Sequence, residues 1–143
     1  MKKPLWKCPN CARMFANPNQ THTCRALGTI EAHFEGRRSR ALFDAFADAV
    51  RACGPVDILP EKTRIAFHVR MSFAQITPRN DYLLGHFVLA RRVEHARFRK
   101  IETFSPRNVV HHFRIDSLRD FDMEFRGWIA EAYAVGEQRH LVN

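Results

Sequence analysis

Three observations on this chain of 143 residues predict an α+β fold. Apolar residues repeat at helical spacing in two stretches, residues 38–53 and 117–137. Between them, short runs alternate apolar and polar side chains at the two-residue period of strands. Ahead of both stands a tight cluster of Cys8, Cys11, His22 and Cys24, a set of metal-ligating residue types. The expected order is a small N-terminal zinc ribbon or knuckle, a helix, an antiparallel sheet of about four to five strands and a C-terminal helix packed on the sheet. The expected division is a zinc-binding module over residues 1–27 and an α+β domain over residues 28–143.

The cluster comes first in the chain. A Cys-x2-Cys turn with Pro9 inside it presents two thiolates from one side, and His22 and Cys24, two apart on an extended segment, present two more ligands on one face. Three thiolates and an imidazole close a tetrahedron and leave no position for water, which marks a structural zinc and not a catalytic one. The spacing differs from the two-Cys, two-His finger, whose histidines sit on a helix. Phe15 is expected to supply the module's small apolar core, with a turn at Asn17-Pro18-Asn19 between the ligand pairs. His33 is the nearest spare imidazole and the alternative to His22.

Thr29 reads as the N-cap of a short helical turn that ends at Gly36. Leu42, Phe43, Phe46, Val50 and Cys53 then share one face of a helix over residues 38–53, stopped by Gly54-Pro55, with Cys53 a buried thiol. Residues 63–69 alternate strictly, with Ile65, Phe67 and Val69 on one face and Arg64, Ala66 and His68 on the other. Residues 56–59, 82–90, 98–104 and 109–115 read as further strands, and residues 71–76 fit a strand or a turn of helix equally. Ser117, with Asp120 in capping-box position, opens a last helix whose stripe of Leu118, Phe121, Phe125, Trp128, Ile129, Ala132 and Tyr133 is core packing.

Composition bounds the class of protein. A hydrophobic content of 45% with twelve Phe is enough to fill a single core. There is no long uncharged apolar run, and the basic start leads into the cysteine cluster, so neither a membrane span nor a secretory signal is expected. Three of the four cysteines fall in the cluster, which favours a reducing, cytoplasmic setting over a disulfide framework. The net charge of +8 is uneven: residues 1–40 and 91–107 are strongly basic, whereas residues 116–137 are acidic. Such an asymmetry suits an anionic partner, DNA or RNA, held through phosphates. Lys7, Arg13 and Arg25 beside the metal cluster would be first contacts, with Arg91, Arg92, Arg97, Arg99 and Lys100 a second patch.

Arg64, His68, Arg70, His86, His112 and Arg114 are expected on the polar face of the strands, which Lys62 and Lys100 could extend. The simplest reading of that face is the solvated side of an antiparallel sheet; the sharper one is a surface for a small anionic ligand or a phosphate backbone. His111 and His112 point to opposite faces. No nucleophile triad, phosphate loop or His-Glu-x-x-His motif is present, so catalysis has no sequence signature.

The runs Cys8-Pro-Asn-Cys-Ala-Arg-Met-Phe15, Asn19-Gln-Thr-His-Thr-Cys24, Lys62-Thr-Arg-Ile-Ala-Phe67 and Met71-Ser-Phe-Ala-Gln-Ile-Thr-Pro78 resemble a bacterial family of uncharacterised proteins. In that family a zinc module precedes an α+β domain of unknown function. The resemblance implies Cys8, Cys11, His22 and Cys24 as ligands, marks Lys62, Thr63, Phe67 and Phe73 as family positions, and supplies no activity. The leading expectation is a zinc-stabilised binding protein that contacts nucleic acid. Its rivals are a small-ligand binder or enzyme using His68, His86 and His112, and a protein-interaction module shaped by zinc.

Overall fold

The computed structural model of the chain describes residues 4–9, 14–16 and 28–139. Two short strands, β1 (Trp6–Lys7) and β2 (Met14–Phe15), pair antiparallel, with Trp6 opposite Phe15 and Lys7 opposite Met14. Cys8 therefore leaves β1 into the connection between them, and it is buried. The expectations for Cys11, His22, Cys24, Arg13, Arg25, the Asn17-Pro18-Asn19 turn and the Phe15 side chain lie outside the described residues.

Helix α1 (Ile30–Phe34) is capped as expected: the Thr29 hydroxyl accepts the Ala32 N–H at 3.1 Å. Helix α2 (Arg40–Arg51) buries Leu42, Phe43, Phe46, Ala47, Ala49 and Val50 along one stripe. Cys53, just beyond it, is only half-buried; its thiol donates to the Ala49 carbonyl at 3.5 Å, and burial, aided by Glu137, raises its pKa.

Six strands follow, against the four to five expected: β3 (Asp57–Pro60), β4 (Ile65–His68), β5 (Ser72–Pro78), β6 (Leu83–Leu89), β7 (Lys100–Ser105) and β8 (Asn108–Ile115). Their spatial order is β3-β4-β5-β6-β8-β7, antiparallel throughout. The chain meanders through β6, crosses by residues 90–99 to the outer edge, and returns as β8 between β6 and β7. Of residues 71–76, ambiguous in sequence, all but Met71 belong to β5. A register shift against Phe67/His68 lets both Phe73 and Ala74 join the core, which breaks the alternation.

The last helix starts later than its Ser117 signal. The capping box of Ser117 and Asp120 closes a 3-10 turn, Leu118–Asp120, and Asp122 then caps α3 (Met123–Gly136) by accepting the Phe125 N–H at 2.8 Å. Leu118 is consequently exposed and leaves the expected core stripe, whereas Phe121, Phe125, Trp128, Ile129, Ala132 and Tyr133 remain in it. Both α2 and α3 pack on one face of the sheet, against Ile65, Phe67, Ile76, Leu83, Phe87, Phe113 and Ile115. Gly85 is required there: a Cβ would stand 2.8 Å from Ile76 and 2.9 Å from the Phe113 ring. Among the described residues no helix is long and apolar enough to cross a membrane.

Candidate functional site

With the helices on one face, the other face of the sheet is left to the alternate side chains of the same strands. The register places His86 of β6 opposite both Gln75 of β5 and His112 of β8, and His112 opposite Lys100 of β7. The two imidazole rings lie 5.1 Å apart, inclined at 58°. His112 Nε2 lies 2.6 Å from Glu102 Oε1, and Lys100 Nζ lies 3.8 Å from the other carboxylate oxygen. Burial lowers the His86 pKa to about 4, helped by the positive charge of His112 and Arg64 and opposed by Glu102. The hydrogen bond from His112 holds the Glu102 carboxyl below its ordinary range.

Arg64, on the approach to β4, is exposed with its Nε 3.6 Å from Glu61. Arg114 lies over the Tyr82 ring at 3.8 Å and donates to Asp116 at 2.8 Å. Arg64, His86, His112 and Arg114 are therefore gathered on this face, as the alternation predicts. Glu102, Gln75 and Tyr82 join them without having been singled out in the sequence. The turn at Pro106-Arg107 carried the signal for Glu102, because folding a hairpin there sets Glu102 diagonally across from His112.

His68 and Arg70 have other surroundings. His68 is buried, its Nε2 2.7 Å from the Met14 carbonyl and its Nδ1 3.3 Å from the Ser72 hydroxyl. This bond seats the N-terminal hairpin on the same sheet face as His86. Ala66 and Val110 of that face are also buried, so it is not simply the solvated side of the sheet. Arg70 leaves the face altogether: β4 ends at His68, and Arg70 sits in the following turn with its backbone N–H on the Gly136 carbonyl and its Nε on Gln138 Oε1 at 3.0 Å. His33 is engaged with the Glu61 carbonyl at 2.6 Å, and Lys62 and Lys7 are exposed.

His111, on the helix-covered face, is a structural residue. Its Nδ1–H donates to Val109 at 2.9 Å while its Nε2 accepts the Val93 N–H at 3.0 Å, which ties down the crossing segment. Burial keeps it neutral, lowering its pKa. The expected basic patch on that segment is turned toward the acidic last helix. Arg91 forms a two-bond pair with Glu131 at 2.9 and 3.0 Å, His95 reaches Glu124 at 3.1 Å, and Arg97 lies 3.6 Å from Asp122 and 4.5 Å over the Phe125 ring. Arg92 pairs locally with Glu94, and Arg99 is exposed.

The histidines set a pH dependence. Above the ordinary histidine range both chains, folded and unfolded, carry His86 neutral; below it the unfolded chain takes up a proton that the folded chain refuses until about pH 4. Stability is therefore expected to fall as pH drops from about 6.5 to about 4, by about 1–3 kcal/mol for His86, with His111 adding in the same direction. Below that, protonation of Glu102 removes a further contribution. Urea midpoints across this range check it: His86→Gln should flatten the profile, and an unchanged slope would contradict the assignment.

The fold and its site define a class: an antiparallel six-stranded sheet with helices on one face and a histidine-carboxylate cluster on the other. Residues 30–136 match the family described as Domain of unknown function (DUF5655), and the chain belongs to that family. The match begins with α1 and ends with α3, leaving the N-terminal hairpin outside it. No curated protein and no solved structure matches the chain. Among the described residues no group of three or more His, Cys, Asp or Glu could hold a metal ion.

Proposed function

We propose that this chain is a zinc-stabilised binding protein that contacts nucleic acid through phosphates, using the N-terminal module together with the open sheet face. One observation carries the reading: the His68–Met14 hydrogen bond seats a segment of strongly basic composition on the face that also bears Arg64, Lys100, Arg114 and the two histidines. Counterion release from several phosphates would then supply most of the affinity. The zinc belongs to the proposal through chemistry. A Cys-x2-Cys pair opened by Cys8, itself buried at the end of β1, with His22 and Cys24 following in the sequence, is the donor set of a structural Cys3His site. So few residues cannot hold a core unaided.

The contacts then lie away from residues 91–97, whose charges are largely taken up by α3 and its cap, with Arg99 and Lys100 at the margin. Fluorescence anisotropy with short labelled DNA and RNA tests it. Affinity should fall by roughly a thousandfold between 50 and 200 mM salt if about six phosphates are contacted. Arg64→Ala with Arg114→Ala should weaken binding and lower the salt slope by roughly two contacts. Absence of binding at low salt would remove the reading.

A further inference from the structure

We propose that His86 and His112 form an acid–base pair that cleaves single-stranded RNA by internal transesterification. The inference rests on the nucleic-acid reading of the open face and adds a reaction to it. The two imidazoles are fixed side by side by strand register, 5.1 Å between centroids, in unlike surroundings. His86 has no hydrogen-bond partner among the described residues and is half-buried beside positive groups, so it is held neutral and ready to accept a proton. His112 has one nitrogen on the Glu102 carboxylate at 2.6 Å, which orients the ring and supplies the counter-charge for an imidazolium; the other nitrogen is left for a substrate. Unlike neighbours that separate the tasks of two titratable groups are the mark of an acid–base pair.

RNA fits this pair because it carries its own nucleophile. The 2′-hydroxyl oxygen attacks the adjacent phosphorus as His86 takes its proton; a P–O2′ bond forms and the P–O5′ bond breaks. His112 gives its proton to the departing 5′ oxygen. The products are a 2′,3′-cyclic phosphate and a 5′-hydroxyl end, with no oxidation change and no co-reactant. Arg64, Arg114 and Lys100 are the cations on this face for the phosphate, and Glu102 is a positioning residue. The groups facing His86 are His112 from β8, Gln75 from β5, Arg64 before β4, and Lys100 and Glu102 from β7.

The test uses the full-length protein, a labelled oligoribonucleotide of mixed sequence and the DNA of the same sequence. Cleavage of RNA alone, with cyclic-phosphate ends identified by mass, is expected. His86→Gln and His112→Asn, each checked for folding by thermal denaturation, should lower the rate by about 10²–10⁴-fold. In the wild-type protein, kcat/KM should rise with pH through an acid limb near 4, which tests the pair independently of any variant. Glu102→Gln should lower kcat with little change in KM, a split that a purely structural role would not produce. RNA bound but left intact, equal cleavage in either histidine variant, or 5′-phosphate products would overturn the proposal while leaving the binding reading in place. Failure to bind either polymer would overturn both.

Discussion

Replacing Cys8 with serine is expected to abolish stoichiometric zinc and release the N-terminal hairpin from the sheet. Structural zinc in modules of this size contributes folding free energy on the order of 10 kcal/mol, because no site exists in the unfolded segment. The hairpin itself offers only a short ladder, two residue pairs long, which is too little to persist alone. Loss of the metal should therefore expose Trp6, free the Met14 carbonyl from His68, and leave that imidazole on an opened face. The α1-to-α3 domain has its own core and should keep most of its thermal stability. Elemental analysis of wild type and variant, with hydrogen exchange over residues 4–16 and 66–75, reads both parts. Full zinc in the variant, or none in carefully reduced wild type, would contradict the assignment.

Phe46→Ala is expected to be the most damaging single core change, at about 3–5 kcal/mol and a fall in Tm on the order of 10 °C. Phe46 is fully buried where α2 meets both the sheet and α3, 5.1 Å from Phe67, 5.9 Å from Phe113 and 6.4 Å from Phe125. Truncation leaves a cavity bounded by rings from three separate elements, none of which can collapse without dislodging the others. Phe104→Ala is the matched control: at 73% exposure on the edge strand it should cost no more than about 0.5 kcal/mol. Equal Tm shifts for the two variants would show that the core is not centred where α2 and α3 meet.

Much of the fold could be read from residue pattern because local rules and tertiary packing agree in those places. The α2 stripe and the alternation of β6 follow from one face being buried, and the Thr29 cap follows from local hydrogen bonding. The pattern blurs where packing overrides the period. In β5 the register shift turns Phe73 and Ala74 to the same side, so that stretch does not alternate and reads equally as helix. At Ser117 the capping chemistry is real, but the turn it caps is a single 3-10 turn, and a second cap at Asp122 starts the helix.

The candidate site divides along the same line. His86 and His112 were legible as outward residues of two strands, but their adjacency depends on β8 returning inside β7, which strand pattern does not encode. The basic run at 91–100 and the acidic run at 116–137 were each legible as charge excesses. Their pairing through Arg91–Glu131 and Arg97–Asp122 is tertiary, and it sets part of the expected basic patch against the acidic last helix and its cap. The burial of His68 likewise depends on a hairpin fifty-four residues away in sequence.

Backbone amide shifts of the labelled protein, titrated with a short single-stranded oligonucleotide at low salt, show whether the N-terminal module and the helix-free sheet face act as one continuous binding surface. The perturbations are expected to gather at Lys7, Arg64, Gln75, His86, His112 and Arg114 and to disappear as salt is raised. Perturbations confined to residues 91–99 and α3, or none on the sheet, would contradict that expectation.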